Sequence, residues 1–299
     1  MTLRQGGRRR RARPPRRGTL RVVLGNPLGV GGGVVLVGFV VVGMLGRRLA
    51  PYAPNQVDVV RGRLAAPSAH HPFGTDQLGR DILSRILAGA AVSLRVSLLA
   101  VGIAAVVGVT VGLLAGYYRG RLDALLMRTM DVLFAFPAIL LAIAILAVRG
   151  PGPDNATIAI GVVYVPIFAR VARAGALSVR ETVYVRAARS FGASDTRIIT
   201  RHVLPNVAGP IIVQISISLA FALLAEAALS FIGLGTQPPE PSWGGMLAEG
   251  RDYMQGHWWV AAFPGLAIFA VVLACNLVGD ALRDALDPRT RGAIEAGGR

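Results

Sequence analysis

Six long apolar segments, separated by polar loops rich in glycine or proline, dominate the chain. The first, residues 28–46, has about the length that an α-helix needs to cross a bilayer, roughly 20 residues. Two of the later segments are short and contain an internal proline, Pro137 in the third and Pro166 in the fourth. The segments after the first comprise residues 92–116, 132–148, 157–172, 207–234 and 258–277. This pattern predicts an all-α polytopic membrane protein with six transmembrane helices.

Composition supports a membrane protein and limits its chemistry. Hydrophobic residues make up 53% of the chain, charged residues only 16%, and the mean hydropathy is +0.55, values too apolar for an ordinary soluble domain. All 32 basic residues are arginine. A Walker-type nucleotide site requires a lysine, so the sequence excludes a P-loop in this chain. We therefore expect a non-enzyme without a cofactor.

The arginines are distributed unevenly between the predicted loops. Residues 1–21 hold nine arginines and no acidic residue, which predicts a basic cytoplasmic tail over residues 1–27. With the N-terminus inside, the inner segments hold 23 arginines and the outer loops eight. The positive-inside rule therefore predicts a multi-pass inner-membrane protein with both termini cytoplasmic. The net charge of +16 comes without any nucleic-acid-binding motif, so no nucleic-acid partner is expected.

A polar, basic stretch lies between the fourth and fifth apolar segments. It reads LSVRETVYVRAARSFGASDTRIITRHVLPN and is called the helix–glycine–helix segment, residues 177–206. Ser178 and Glu181 have capping-box spacing, which predicts the start of a helix. Gly192 can end that helix in the left-handed conformation, and a second helix can restart at Ser194. Four residues of the first helix share one face: Tyr184, Ala187, Ala188 and Phe191.

The second predicted helix carries Ile198 on its apolar side and ends where Pro205 disfavours helix at Leu204. The spacing A-A-x-x-x-G followed by L-P resembles the cytoplasmic coupling loop of the permeases of ABC importers. In that family the loop docks into the ATPase subunit. Here Arg186 stands where the family usually has an acidic residue, and His202 replaces an aliphatic one.

A second motif precedes the second predicted span. In HPFGTDQLGRDILSR, Asp81 can cap a short helix whose apolar stripe suits the membrane interface. The run is similar to the segment before the second span in the C-type permease subunit of dipeptide, oligopeptide and nickel importers. The matching pattern is H-x-F-G-T-D-x-x-G-R-D-x-x-S-R, which runs from His71 to Arg85. Its candidate site residues are Phe73, Gly74, Thr75, Asp76, Gly79, Arg80 and Asp81.

The resemblance covers nearly the whole chain and implies a type I ABC importer permease fold. It implies three kinds of partner besides lipid: a second homologous permease subunit, two ATP-binding subunits and an extracytoplasmic substrate-binding protein. The chain then divides into the basic tail 1–27, the first helix 28–46, the outer loop 47–90, a five-helix core 91–281 that includes the segment 177–206, and a cytoplasmic tail 282–299. Peptides are the expected substrate, with nickel or another small solute as the alternative. An ion-driven secondary transporter or channel is the competing class.

Few side chains suggest further chemistry. None of the four histidines has a metal-site spacing, and His70 and His71 are expected to be solvated in the outer loop. Trp243, Trp258 and Trp259 are expected at the aromatic belt of the membrane. Glu226 is the only acidic residue deep inside a span, which predicts an interior position where it is paired, protonated or exposed to a watered cavity. Its role is either that of a structural partner or that of a direct substrate contact. Arg95 is the candidate partner.

Overall fold

The computed structural model describes residues 26–58, residue 60 and residues 62–286 of the 299-residue chain. Within these ranges the protein is almost entirely helical. The α-helices are α1 Pro27–Leu49, α2 Ile82–Tyr118, α3 Gly120–Phe134, α4 Ala138–Arg149, α5 Pro153–Arg180, α6 Val183–Ser190, α7 Asp195–Ile198, α8 Leu204–Phe231, α9 Trp243–Gly250 and α10 Trp259–Leu286. Most of the predicted basic tail, residues 1–25, lies outside the described ranges, as do residues 287–299.

Five of the described helices are long and apolar enough to cross a membrane: α1, α2, α5, α10 and the continuous rod from Asp195 to Phe231 that contains α7 and α8. Helix α1 begins where the Asn26 side chain accepts hydrogen bonds from the backbone of Leu28 and Gly29, at 3.1 and 3.3 Å. Val34, Val37 and Met44 of α1 are exposed, as expected for side chains that face lipid. The predicted all-α polytopic architecture is confirmed.

The third predicted span is bent rather than straight. Helices α3 and α4 meet at an angle of 90° around Pro137, which precedes α4. A proline lacks an amide hydrogen and disfavours helix in the residue before it, so the chain breaks here. Helix α4 has 12 residues, about 18 Å at 1.5 Å per residue, which is shorter than a hydrocarbon core of about 30 Å. Among the described residues there are therefore five candidate spans, or six if the bent pair forms one.

The interfacial helix predicted after Asp81 is not a separate element. It forms the first turns of α2, which runs without interruption from Ile82 to Tyr118. Asp81 does cap the helix, and its carboxylate accepts from the Ser84 backbone amide at 2.7 Å. Ile82 and Arg85 are buried under the loop of residues 51–81 and under α9, so protein rather than lipid covers this turn.

Two local predictions for the helix–glycine–helix segment are wrong. Helix α5 continues through Ser178 to Arg180, so Ser178 and Glu181 form no capping box, and α6 starts after Thr182. Pro205 does not end the second helix. A π turn over residues 199–203 widens the helix, and the amide of Leu204 bonds the carbonyl of Ile199, five residues back. This wider turn accommodates Pro205 in the first turn of α8.

Helices α2 and α5 pack with their backbones close together. Gly108, Gly112 and Gly116 are four residues apart and face α5, and a β-carbon placed on Gly112 would lie 2.2 Å from the Ala169 carbonyl oxygen. Small residues at this spacing let helices approach closely in membranes. The close packing brings the end of α2 at Tyr118 to the end of α5 at Arg180.

The bundle has two ends. At one, the loop of residues 51–81 packs against α9; we call this the cap end. The helix–glycine–helix segment lies at the other, the segment end. Trp243 belongs to the core at the cap end and not to an aromatic belt, because it is fully buried and donates from its indole nitrogen to the Ile86 carbonyl at 3.0 Å. Trp259 is also buried, whereas Trp258 is exposed.

Candidate functional site

Gly192 forms the turn of the helix–glycine–helix segment. Its φ of +76° is the left-handed conformation that favours glycine, as the sequence predicts. The amides of Gly192 and Ala193 return to the carbonyls of Arg189 and Ala188, at 3.0 and 3.1 Å, and close α6. The Ser194 hydroxyl accepts from the Arg197 amide at 3.4 Å and starts α7. The segment therefore consists of two short helices joined by a turn that these hydrogen bonds close.

One face of this segment belongs to the protein core. Val185, Ile198 and Val203 are fully buried and join a cluster with Tyr117 of α2 and Ala176 of α5. Ala188 packs against the same cluster from a half-buried position. Since these contacts bury apolar surface of the segment against α2 and α5, the segment is supported by the protein core and is not a free loop.

The opposite face carries exposed apolar side chains. Phe191 is 91% exposed, and Val183 and Tyr184 are also exposed. The four residues predicted to share a docking face are therefore divided: Tyr184 and Phe191 point outward, whereas Ala187 and Ala188 are half-buried. Arg186 is exposed beside them. A large aromatic residue exposed on a supported helix is typical of a surface that binds another protein.

Ion pairs between neighbouring helices surround the segment end. Arg173 of α5 donates to both carboxylate oxygens of Asp123 on α3, at 2.6 and 2.8 Å. Arg119 and Glu181 form an exposed pair at 3.6 Å between the end of α2 and the start of the segment. Such surface pairs add little stability individually.

At the cap end, the motif residues form a buried ionic network, here named the ionic cap: Asp76, Arg80 and Arg85 with Glu249 of α9. The Arg80 guanidinium donates to Asp76 at 2.6 Å and to Glu249 at 2.7 Å. Arg85 donates to Glu249 at 3.2 Å. Asp76, Arg80 and Arg85 are buried, so their charges are compensated mainly by each other.

The remaining motif residues shape the loop that carries these charges. Gly74 and Gly79 have positive φ angles of +78° and +82°. The Thr75 hydroxyl accepts from the Ala65 amide at 2.8 Å, and Phe73 stacks on Phe263 of α10 with ring centroids 4.1 Å apart. The motif therefore folds the 51–81 loop onto α9 and α10.

His71 is buried, contrary to the expectation that both outer-loop histidines are solvated. Its two ring nitrogens lie 2.8 Å from Asp81 and 3.2 Å from Asp58. The ring also contacts Tyr52, with centroids 4.9 Å apart. His71 thus joins the loop to the residue that caps α2, while His70 is exposed.

The structure does not bring Arg95 and Glu226 together. The Arg95 side chain is 71% exposed and lies 3.7 Å from Asp154 of α5. Glu226 is buried near the end of α8, where its carboxyl oxygen accepts from the Ser230 hydroxyl at 2.8 Å. The pairing predicted from sequence is wrong, because Arg95 points away from the interior of the bundle.

Sequence reasoning missed several residues that hold these sites. Arg85 and Glu249 complete the ionic cap, and Tyr117 supports the helix–glycine–helix segment. Arg85 offered a signal, because it is the last residue of the motif HPFGTDQLGRDILSR, although it was not among the predicted site residues. Glu249 offered none, since it lies more than 160 residues from its partners.

Comparisons with known proteins give relatives over most of the chain. A putative peptide transport system permease protein of Brucella suis is 50% identical over 262 residues, 87% of each chain. A dipeptide transport system permease protein of Alkalihalophilus pseudofirmus is 46% identical over 89% of this chain and 87% of that protein. A glutathione transport system permease protein of Pectobacterium atrosepticum is 44% identical over 93% of each.

The fold has solved counterparts as well. Inward-facing structures of the MetNI methionine ABC transporter match with a TM-score of 0.56 at 18% identity, over 68% of this chain and 96% of that chain. This likeness concerns the fold and confirms the expected type I importer permease architecture. Residues 108–292, more than half of the chain, match the family of binding-protein-dependent transport system inner membrane components. The chain therefore belongs to this family and is a multi-pass permease subunit of an ABC importer.

Proposed function

We propose that this permease forms half of the translocation pathway for peptides and performs no ATP hydrolysis itself. The relatives named for peptide, dipeptide and glutathione transport support this substrate class, and their similarity extends over at least 87% of this chain. The absence of lysine supports a separate source of ATP hydrolysis, since a P-loop requires that residue. Family membership favours this function over an ion-driven secondary transporter.

The working assembly contains a second homologous permease subunit, two ATP-binding subunits and an extracytoplasmic substrate-binding protein. Both termini and the segment end face the cytoplasm, and the ionic cap faces the outside. The arginine count supports this orientation, with 23 on the proposed inner side against eight on the outer side. Arg119, Arg121 and Arg128, which follow α2, lie on the same side as the helix–glycine–helix segment.

The helix–glycine–helix segment docks into one ATPase subunit and passes its movement to the membrane helices. The observation that carries this proposal is Phe191, which is 91% exposed at the C-cap of α6, a helix whose other face is buried. Aromatic residues of this kind fill pockets on partner proteins. Tyr184 and the Arg186 guanidinium extend the same surface, and Leu204 and Pro205 start the helix that receives the movement.

Replacing Phe191 by alanine tests the docking surface. Truncation of a central aromatic anchor costs about 2 kcal/mol, roughly a thirtyfold loss of affinity. We expect the Phe191→Ala permease to insert normally but to retain the ATPase subunits poorly during purification in detergent. Val60→Ala is the matched control, because Val60 is 93% exposed at the cap end. Equal retention of the ATPase by Phe191→Ala and wild type would exclude docking through this face.

A further inference from the structure

Tyr117 lies where α2, α5 and the helix–glycine–helix segment meet. It lies at the end of α2, is almost fully buried and packs with Val185 and Ile198, one from each short helix. Its hydroxyl donates to the Asp195 carboxylate at 2.6 Å. Its backbone carbonyl accepts a hydrogen bond from the Arg180 guanidinium at the end of α5. One residue thus joins α2, α5 and the segment.

The two short helices on either side of Gly192 both contact the Tyr117 side chain. Asp195 is the first residue of α7, so the hydroxyl holds the start of the second helix. The Arg189 guanidinium of α6 lies 5.2 Å from the centre of the Tyr117 ring, within range of a cation–π contact. The interaction with Tyr117 also raises the pKa of the Arg189 guanidinium above its usual value. Backbone hydrogen bonds close the turn at Gly192, and the contacts with Tyr117 connect the helices on both sides of it to α2.

The end of α2 is a firm base for this contact. Gly116 precedes Tyr117, and a β-carbon there would lie 2.7 Å from the Arg173 carbonyl of α5. Such close contact between the two backbones hinders movement of one helix past the other. A displacement of the segment is therefore transferred to α2 and α5 together.

We propose that Tyr117 is the positioning residue that fixes the helix–glycine–helix segment to α2 and α5, and so transmits the segment's movement to the membrane helices. The fixing role rests on the contacts of Tyr117 alone. The transmitting role rests on the proposed docking to the ATPase.

Hydrogen–deuterium exchange of residues 183–198 in the assembled transporter tests the fixing role. Tyr117→Phe removes only the hydroxyl, and we expect exchange in this segment to accelerate roughly two- to tenfold, the range that loss of one hydrogen bond gives. Exchange in α1 and α10 should not change. The control is Tyr118→Phe, because Tyr118 is a half-exposed neighbour of the same type whose hydroxyl is not part of this contact.

Asp195 variants identify the bond responsible. Asp195→Ala should accelerate exchange as Tyr117→Phe does, and the double variant should add nothing further, since the two residues share one bond. Asp195→Asn keeps an acceptor oxygen and should retain the protection. Wild-type exchange in Tyr117→Phe, additive effects in the double variant, or a loss of protection in Asp195→Asn equal to that in Asp195→Ala would each overturn the assignment.

Stimulation of ATP hydrolysis by the binding protein, measured in lipid nanodiscs, tests transmission. Tyr117→Phe should retain both ATPase subunits and lose stimulation at least twofold, whereas Phe191→Ala should lose the subunits themselves. Normal stimulation in Tyr117→Phe with accelerated exchange would overturn the transmitting role. Full retention of the ATPase by Phe191→Ala would instead contradict the docking proposal and leave the exchange result unaffected.

Discussion

The ionic cap and the segment end differ in the exposure of their charged and apolar side chains. At the cap end, Asp76, Arg80 and Arg85 are buried and bonded to one another or to Glu249. At the segment end, Arg186 is exposed, and so is the large apolar side chain of Phe191. The ionic cap thus compensates its charges internally, while the segment end leaves both charge and apolar surface available to another protein.

This difference indicates different mechanical roles. A buried charge pair tolerates little displacement, because separating the partners in a low-dielectric interior leaves an uncompensated charge. The ionic cap therefore holds the 51–81 loop against α9 in one arrangement. Exposed charges are screened by water and constrain geometry weakly. The segment end instead depends on a few specific contacts and on the Gly192 turn for its shape.

The largest expected effect comes from breaking the ionic cap. Asp76→Ala leaves the charges of Arg80 and Arg85 with one carboxylate fewer, and removal of one member of a buried pair costs about 3 to 5 kcal/mol. We expect a strong loss of folded protein, measured by size-exclusion chromatography and thermal unfolding. Glu181→Ala removes one partner of the exposed pair with Arg119 and should cost about 1 kcal/mol or less. Similar losses for the two variants would show that the ends do not differ in this way.

An intermediate effect is expected at the Gly192 turn. Gly192→Val forces a β-branched residue into a positive φ, which costs about 1 to 3 kcal/mol and shifts α6 relative to α7. Gly192→Asn is the matched control, because asparagine adopts this conformation more readily. We expect both proteins in the membrane, with uptake and ATPase stimulation lost only in Gly192→Val. Wild-type uptake by the valine variant would exclude a role for the turn in coupling.

The smallest effect is expected at Arg95, which lies at the cap end but is exposed. Arg95→Gln removes a surface pair with Asp154 and should change the free energy of unfolding by less than about 1 kcal/mol. The effects of Arg95→Gln and Glu226→Gln should add in the double variant, since these residues do not meet. Thermal unfolding of the three variants measures this. Recovery of stability in the double variant would instead support a pair between them.

Local sequence determined the features that depend on a few neighbouring residues. The lengths of the apolar segments predicted five of the spans, and Asp81 predicted the start of α2. Gly192 and Ser194 predicted the turn and the start of the second helix in the helix–glycine–helix segment. Each depends on local backbone conformation or on hydrogen bonds within one turn, for which residue type is sufficient. Local rules were wrong at Ser178 and Pro205, where packing of α5 and α8 continued helices that the isolated sequence would end.

Contacts between distant parts of the chain were decided by the tertiary structure alone. Glu249 reaches Arg80 across 169 residues, Tyr117 reaches Asp195 across 78, and Trp243 is buried against α2 rather than placed in a membrane belt. A sequence gives the charge or apolarity of such residues but not the direction in which a helix presents them. That direction depends on how α2 and α5 pack at their glycines and on where α9 closes over them. The same packing places Arg95 on the surface and leaves Glu226 hydrogen-bonded to Ser230.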